Sequence, residues 1–394
     1  MTVVFEFLGK EEIENLVTSM NYAVDKVVYF GSGEAIAQMR DRTSRFLAKY
    51  CGVAESEFVE LPSMDLPSVL AAMKLGIVSE KARGNDLFFD ITGGESLVLV
   101  AFGMLSREFR APLHMFDIES GRLIELTRDF CEEHISGSVK ERRVPFDLDM
   151  FIEMKGGVIN YRLHKRLKDT GGPGFEGDLR ALRETVRKSG ESWNRFSEFM
   201  RGSGMPDGKL FFKKSGRDID AALARASGGL KTRGQLDTVL NSLAAGGLIT
   251  GLIREDGGYE FSFKNEQIKG LVWESGSVLE LYTYSLESAG ADDCRVGVHL
   301  DWDGRISPYF GKDVLNEVDV LSLRGYVPTF ISCKGGRMGP SQSLHALYEL
   351  ETVAERFGGK YAKKVLVSVQ PLSRTYAERA KEMDIEVRSA DGGW

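Results

Sequence analysis

The sequence is poor in cysteine and has no long apolar run. Its four cysteines, Cys51, Cys131, Cys294 and Cys333, are scattered through 394 residues with no Cys-x-x-Cys pair. That spacing argues against a zinc site or a disulfide framework and fits a reducing cytoplasm. Nothing approaches the ~20 consecutive apolar residues of a membrane span. The opening stretch Thr2-Val3-Val4-Phe5-Glu6-Phe7 has no basic lead-in and is interrupted by an acid, so it reads as a first strand and not a signal peptide. There is no internal repeat and no long low-complexity tract. The histidines at 114, 134, 164, 299 and 345 are isolated from one another, and none is assigned a catalytic role. His299 in particular reads as a strand residue opposite Val298 and outside any site.

What is present is an ordinary globular composition, 42% hydrophobic and 28% charged, on a chain long enough for two or three domains. The net charge of −7 is unevenly spread. Between Arg162 and Arg233 there are 17 basic and 9 acidic residues, a local surplus of +8. Such a run is either a nucleic-acid surface or a set of solvated helix faces.

Residues 2–117 alternate strand-like runs with helical stretches. The strand runs are Val3–Leu8, Lys26–Gly31, Glu57–Leu61, Asp86–Ile91 and Pro112–Asp117; the helical ones are Glu11–Met20, Glu34–Tyr50, Leu66–Glu80 and Ser96–Ser106. This order predicts a mostly parallel sheet with helices on both faces, whose ligands bind beyond the carboxyl ends of the strands. Those ends carry Gly9 and Lys10, Gly31-Ser32-Gly33, and Thr92-Gly93-Gly94 followed by Glu95. Glycines there let a phosphate approach the backbone, and each following helix start offers free N–H groups, so a shared anionic ligand site is expected. No G-x-G-x-x-G follows the first strand, which excludes a dinucleotide-dependent dehydrogenase.

Residues 118–160 are transitional, and 161–260 read as helical and basic, with a loop at Thr170-Gly171-Gly172-Pro173-Gly174. An amphipathic helix at Leu236–Leu243 precedes two β-prone runs separated by Arg254-Glu255-Asp256-Gly257-Gly258, the pattern of a winged helix. Such a module binds nucleic acid or acts as a spacer and dimer contact.

The C-terminal third, from about Phe263, carries the chemistry. A helix over Ser277–Ser288, with Val278, Leu281, Tyr282 and Leu286 on or near one face, contains Glu280. A strand over Arg295–Trp302 follows, then a hairpin of Val318–Leu323 and Val327–Cys333, a helix over Ser343–Phe357 and a strand over Lys364–Val369. Glu317 and Asp319, two apart at the start of one hairpin strand, are expected on one face, and Lys334 closes the other strand, so all three meet at one end of the hairpin. Paired carboxylates suit a Mg²⁺ or Mn²⁺ ion, which polarises a phosphate and acidifies a bound water, and a lysine stabilises developing negative charge.

At these residues the chain resembles the PD-(D/E)xK nuclease superfamily. The resemblance implies that Glu280, Asp319 and Lys334 are catalytic or metal-binding. Ser332 stands where that family has an acid, and Glu317 is expected to replace it; Gln342 falls where some related nucleases place a substrate-contacting glutamine. Asp90-Ile91-Thr92-Gly93-Gly94 resembles the D-x-T-G-G signature of CRISPR-associated Rossmann-fold (CARF) sensor domains. Where that family often continues Thr-Lys, this chain has Glu95-Ser96, and Lys10 is the candidate to compensate.

Together the motifs resemble effector nucleases of type III CRISPR defence. The resemblance implies a cytoplasmic homodimer, activated by a cyclic oligoadenylate such as cyclic tetra-adenylate, that cleaves DNA or RNA. The expected fold is α/β: a Rossmann-like CARF sheet over residues 1–150, a helical, winged-helix-like region over 151–262, and a restriction-endonuclease-like nuclease domain over 263–394. The rivals are a ligand-responsive winged-helix transcription regulator that does not cut, and a constitutive repair or restriction-type nuclease.

Overall fold

The computed structural model describes residues 1–63, 65–126, 132–134, 144–163, 174–206, 208–225, 230, 232–274, 276–307, 315–336 and 338–389. Cys131, His164 and residues 170–173 of the glycine-rich loop lie outside them.

The N-terminal sheet begins with β1 (Thr2–Phe7), β2 (Lys26–Gly31), β3 (Glu55–Glu60), β4 (Asp86–Asp90) and β5 (Leu113–Asp117), which pair in parallel in the order β3-β2-β1-β4-β5. Helices α1 (Val17–Asn21), α2 (Gly33–Phe46), α3 (Leu66–Ala82) and α4 (Ser96–Phe109) cross between them. Alternate side chains enter different layers. Val3, Phe5, Val28, Phe30 and Phe89 join α3 and α4 in one core, while Val4, Val27, Tyr29 and Phe88 face α1 and α2 in another. Burial on both faces explains why these strands are almost wholly apolar.

Two features differ from expectation. The helix anticipated from Glu11 starts only at Val17, because residues 12–16 form turns whose acids are used in ion pairs. The transitional stretch adds antiparallel strands β6 (Arg122–Leu126) and β7 (Glu132–His134) to the sheet edge.

A short linker helix, α5 (Leu148–Met154), and strand β8 (Val158–Ile159) follow. The middle module comprises α6 (Phe175–Ser189), α7 (Glu191–Gly202), β9 (Phe211–Lys214), α8 (Gly216–Arg225), α9 (Arg233–Ala245), β10 (Ile249–Glu255), β11 (Gly258–Phe263) and α10 (Glu266–Trp273). Its small sheet runs β10-β11-β9, so the expected hairpin is the wing of a winged helix whose third strand, β9, sequence reading missed. The hairpin tip needs positive φ at Asp256 and Gly257, 47° and 72°.

The C-terminal sheet has six strands. In chain order after β8 they are β12 (Asp293–Asp301), β13 (Leu315–Arg324), β14 (Val327–Lys334), β15 (Lys363–Ser368) and β16 (Ile385–Ser389), ordered β16-β15-β14-β13-β12-β8. Helix α11 (Ser277–Ser288) packs on β12, β13 and β14; α12 (Pro340–Gly358) lies on β14 and β15, and α13 (Arg374–Glu382) against β16. The expected helix and strand order holds, extended by β16 and by β8. Leu286, assigned to the apolar face of α11, is 56% exposed. No helix among the described residues is long and apolar enough to cross a membrane.

Candidate functional site

The hairpin β13–β14 brings Asp319 to the end of β14. One carboxylate oxygen, Oδ2, accepts the Cys333 backbone N–H at 2.6 Å and the Ser332 hydroxyl at 3.3 Å. Ser332 therefore braces Asp319 instead of supplying a carboxylate. Burial, with the Glu317 charge adding to it, holds the Asp319 carboxyl above the ordinary Asp range, although the Cys333 N–H and the Lys334 ammonium pull the other way. Asp319 thus lies close enough to both Glu317 and Lys334 to sense their charges.

The strands deform at this point. Val296 pairs with Val320 and Val298 with Val318, so Gly297 stands opposite Asp319. Gly297 has φ 61°, the left-handed region that favours glycine. Val298 and Val318 pack into one core, while Val296 and Val320 pack into another. Residues two apart on a regular strand share a face. Here the alternation slips between Val318 and Val320, at Asp319.

His299, left outside the site on sequence grounds, pairs directly with Glu317 across β12 and β13; its Nε2 is 3.8 Å from the Glu317 carboxylate. The missed signal was register: aligning the two valine-rich strands antiparallel puts His299 against Glu317.

Glu280 is buried in the first turn of α11. Its Oε1 folds back to 3.2 Å from where a Cβ on Gly276 would stand. One turn later Thr283 accepts a hydrogen bond from the Cys333 thiol at 3.6 Å, anchoring the helix beside β14. Among the described residues no three His, Cys, Asp or Glu side chains form a ready-made metal cage. The donor set still suits Mg²⁺ or Mn²⁺, because such ions keep several waters and bind through one or two carboxylates together with substrate phosphate.

Beyond Lys334 the surface opens into a pocket of about 530 Å³, lined by Cys333, Lys334, Gly335, Gly336, Ser341 and Gln342 among others. Gln342 closes the α12 start, its Oε1 accepting the Gly339 N–H at 2.9 Å. Asn194 of α7 reaches the rim, its Nδ2 3.3 Å from where a Cβ on Gly336 would lie. The middle module therefore borders the pocket. Part of its basic run is paired: Arg187 and Lys188 with Glu184, Lys213 with Glu260 and Arg233 with Asp220, while Lys264, beyond the run, pairs with Asp178.

At the N-terminal sheet the expected ligand loops sit at one end of the parallel strands. Gly9 is clamped by Asn15, whose side chain both accepts the Gly9 N–H and donates to the Gly9 carbonyl, each at 2.9 Å. Ser32 caps α2, accepting the Ala35 N–H at 3.2 Å. Thr92 is held by Asp90, whose Oδ1 accepts its N–H at 2.6 Å. Gly94 has φ 140° and Glu95 stands at the α4 cap position. Lys10 is exposed.

Sequence reading did not anticipate the acids crowding this end. A Cβ on Gly93 would meet Glu14 at 2.5 Å, and one on Gly33 would meet Glu60 at 2.6 Å. Glu14 also binds the other half of the chain: its Oε1 lies 2.5 Å from Lys360 Nζ and accepts the Tyr361 hydroxyl at 2.7 Å. Glu11 accepts the Lys360 N–H at 3.2 Å, and Lys155 bridges Glu11 and Glu12. The loop after β1 thus ties the N-terminal sheet to the turn at Gly359–Tyr361, between α12 and β15.

No protein-family model matches the chain, and no curated protein matches it in sequence. Solved structures do. The protein VC1899 from Vibrio cholerae superposes with a TM-score of 0.71 at 16% identity, covering 99% of this chain and 94% of its own. Can2 from Sulfobacillus thermosulfidooxidans, solved in complex with cyclic tetra-adenylate, superposes with a TM-score of 0.65 at 15% identity, covering 98% and 93%. A type III CRISPR defence DNA nuclease activated by cyclic oligoadenylate gives 0.50 at 15% identity, covering 94% of this chain and 47% of that one. Over nearly its whole length, then, the chain has the α/β fold of VC1899 and Can2, with a Rossmann-like parallel sheet at its N-terminus.

Proposed function

We propose that the protein is a metal-dependent nuclease switched on by a cyclic oligoadenylate, acting as a homodimer in type III CRISPR defence. The observation that carries the reading is that the buried Asp319 senses the charges of both Glu317 and Lys334, and Lys334 lines an open pocket. The shared fold with Can2, which was solved with cyclic tetra-adenylate, supports that ring as the activator.

In this reading Glu317 and Asp319 hold a Mg²⁺ or Mn²⁺ ion, with Glu280 completing the set when substrate phosphate is bound. Such an ion polarises the phosphate and lowers the pKa of a bound water. Lys334 places its ammonium where negative charge develops on the phosphoryl oxygens. Ser332 and the Cys333 N–H fix the Asp319 carboxylate, and Gly335 and Gly336 leave room for a nucleic-acid backbone. Asn194 offers an amide donor at the rim. His299 orients Glu317 across the strand pair.

The activator binds at Gly9 and Lys10, Gly31–Gly33 and Thr92–Glu95. Glu14, wedged between Gly93 and Lys360, is the link by which ligand binding biases the nuclease domain. A second copy packs on the outer stripe of α3 and α4, where Leu75, Val78, Leu97, Val100 and Met104 are 43–77% exposed.

The test is incubation with plasmid DNA and single-stranded DNA and RNA, with Mg²⁺ or Mn²⁺, in the presence and absence of cyclic tri-, tetra- and hexa-adenylate. Cleavage that requires one ring is expected. No cleavage under any condition removes the nuclease reading, and cleavage indifferent to every ring removes the sensor.

A further inference from the structure

A cleft of about 940 Å³ opens where the N-terminal sheet's α2 meets the linker and the C-terminal sheet. Arg42, Arg45 and Lys49 recur at spacings of three and four. The helix α2 and the turn Leu47–Cys51 that continues it therefore present all three to the cleft from one face. The remaining lining comes from α5, β8 and the loop after β12, which brings Arg305. Two glycines let these last segments touch. Gly156 and Gly304 have φ 79° and 75°, and a Cβ on Gly304 would meet the Gly156 carbonyl oxygen at 2.7 Å.

The acids on the lining are already engaged. Asp149 binds Arg295 at 2.8 Å and accepts the Tyr161 hydroxyl at 2.6 Å. Glu153 binds Lys49 at 2.8 Å and accepts the Tyr50 hydroxyl at 2.6 Å. Asp303 accepts the Arg305 backbone N–H at 2.9 Å and hydrogen-bonds Asp301. The guanidiniums are less well matched. Among the described residues neither Arg45 nor Arg305 forms an ion pair; Glu153 and Asp303 sense these two charges without bonding either guanidinium. Arg45 Nε donates to the Asp41 carbonyl of its own helix at 3.1 Å. Arg42 gives Nη2 to Glu12 at 2.6 Å, and its Nε is buried without a hydrogen-bond partner. Arg356 of α12 adds charge nearby: it donates to the Lys155 carbonyl, as Arg42 does, and burial and then the Arg42 charge hold it below the ordinary Arg range.

We infer that this cleft binds a small phosphorylated molecule of the nucleotide kind. Guanidinium groups left without carboxylates match phosphate oxygens in charge and in their forked geometry. Phe46, Ala48, Val158 and Ile159 add apolar lining suited to a ring. The volume is that of a small-molecule site, and such sites favour domain junctions. The cleft is separate from the glycine loops: Ser32 caps the start of α2, and Arg45 lies about 20 Å further along it at about 1.5 Å per residue. A ligand here touches α2, the linker and the C-terminal sheet at once, so it favours one arrangement of the two halves.

The test is isothermal titration of ATP into the full chain in EDTA, which keeps any metal from linking the nucleotide to carboxylates. ATP is expected to bind. Arg45→Ala combined with Arg305→Ala, both exposed positions that the fold tolerates, is expected to weaken it about tenfold or more. No ATP binding at millimolar concentration, or binding unchanged in the double variant, overturns the site. A single-stranded DNA oligonucleotide is titrated in parallel. If it binds and loses affinity in the double variant while ATP does not bind, the cleft holds a nucleic-acid backbone and the small-molecule assignment is overturned. The inference does not rest on the nuclease reading: a chain that never cleaves nucleic acid still reports ATP binding, so the two fail separately.

Discussion

At the scale of single residues, Asp319 carries the heaviest demand. It is a buried acid with a raised pKa, caused first by burial and then by Glu317. Ionising it works against folding: the cost is absent below its ordinary value of 3.8, grows as pH rises from there to its raised folded pKa, and is constant above that. Asp319→Asn is therefore expected to lower cleavage about 10²–10³-fold, the scale of losing one preorganised group, while the melting temperature at neutral pH stays level or rises. A fall in both would mean that Asp319 is structural. Wild-type cleavage should increase with pH across the titration of Asp319, and the slope should flatten in Glu317→Gln, which removes the neighbouring charge. Full cleavage by Glu317→Ala would end its assignment as a substitute ligand for the acid that Ser332 does not provide. His299 shows what sequence reading missed: its residue type was visible, but its partner depended on strand register.

At the scale of elements, the site depends on how β12, β13 and β14 are bent. Gly297, opposite Asp319, has φ 61°, which costs a side-chain-bearing residue about 1–2 kcal/mol. Gly297→Ala should lower unfolding stability by that amount in urea titrations and reduce cleavage, because the slip in alternation that aims Asp319 is lost. An unchanged stability would place the strain elsewhere. The C-terminal helix and strand order could be read from periodicity, since apolar spacing is local. The slip at Asp319 could not, because it arises from packing two strands between two cores. The winged helix was half legible: its hairpin had a turn signature, whereas β9, the four-residue strand Phe211–Lys214, joins only through pairing with β11.

At the scale of the whole molecule, the loop after β1 joins the two ends of the chain. Glu14 touches Gly93 on one side and Lys360 and Tyr361 on the other. Lys360→Ala should leave activator affinity within about threefold while changing the ratio of activated to basal cleavage about tenfold, a coupling of about 1.4 kcal/mol. An unaltered ratio would show that the signal travels by another route. The exposed stripe on α3 and α4 predicts that Leu75→Asp with Val100→Asp converts a dimer to a monomer in analytical ultracentrifugation. If the wild type is itself monomeric at micromolar concentration, the stripe has another use.

The local pattern of residues was sufficient for the five parallel strands of the first 117 residues and for α2, α3 and α4 between them, for the glycine loops at the strand ends, and for Asp319 and Lys334 on one hairpin. These follow from periodicity, turn chemistry and spacing within short stretches. The pairing of His299 with Glu317, the bracing of Asp319 by Ser332, the capture of Glu14 by Lys360 and Tyr361, and the gathering of Arg45 and Arg305 around one cleft came only with the assembled chain. Each joins residues brought together by sheet register or domain packing, and their partners lie from 13 to 347 positions away. Contacts of that range cost chain entropy to close and leave no local mark in the sequence.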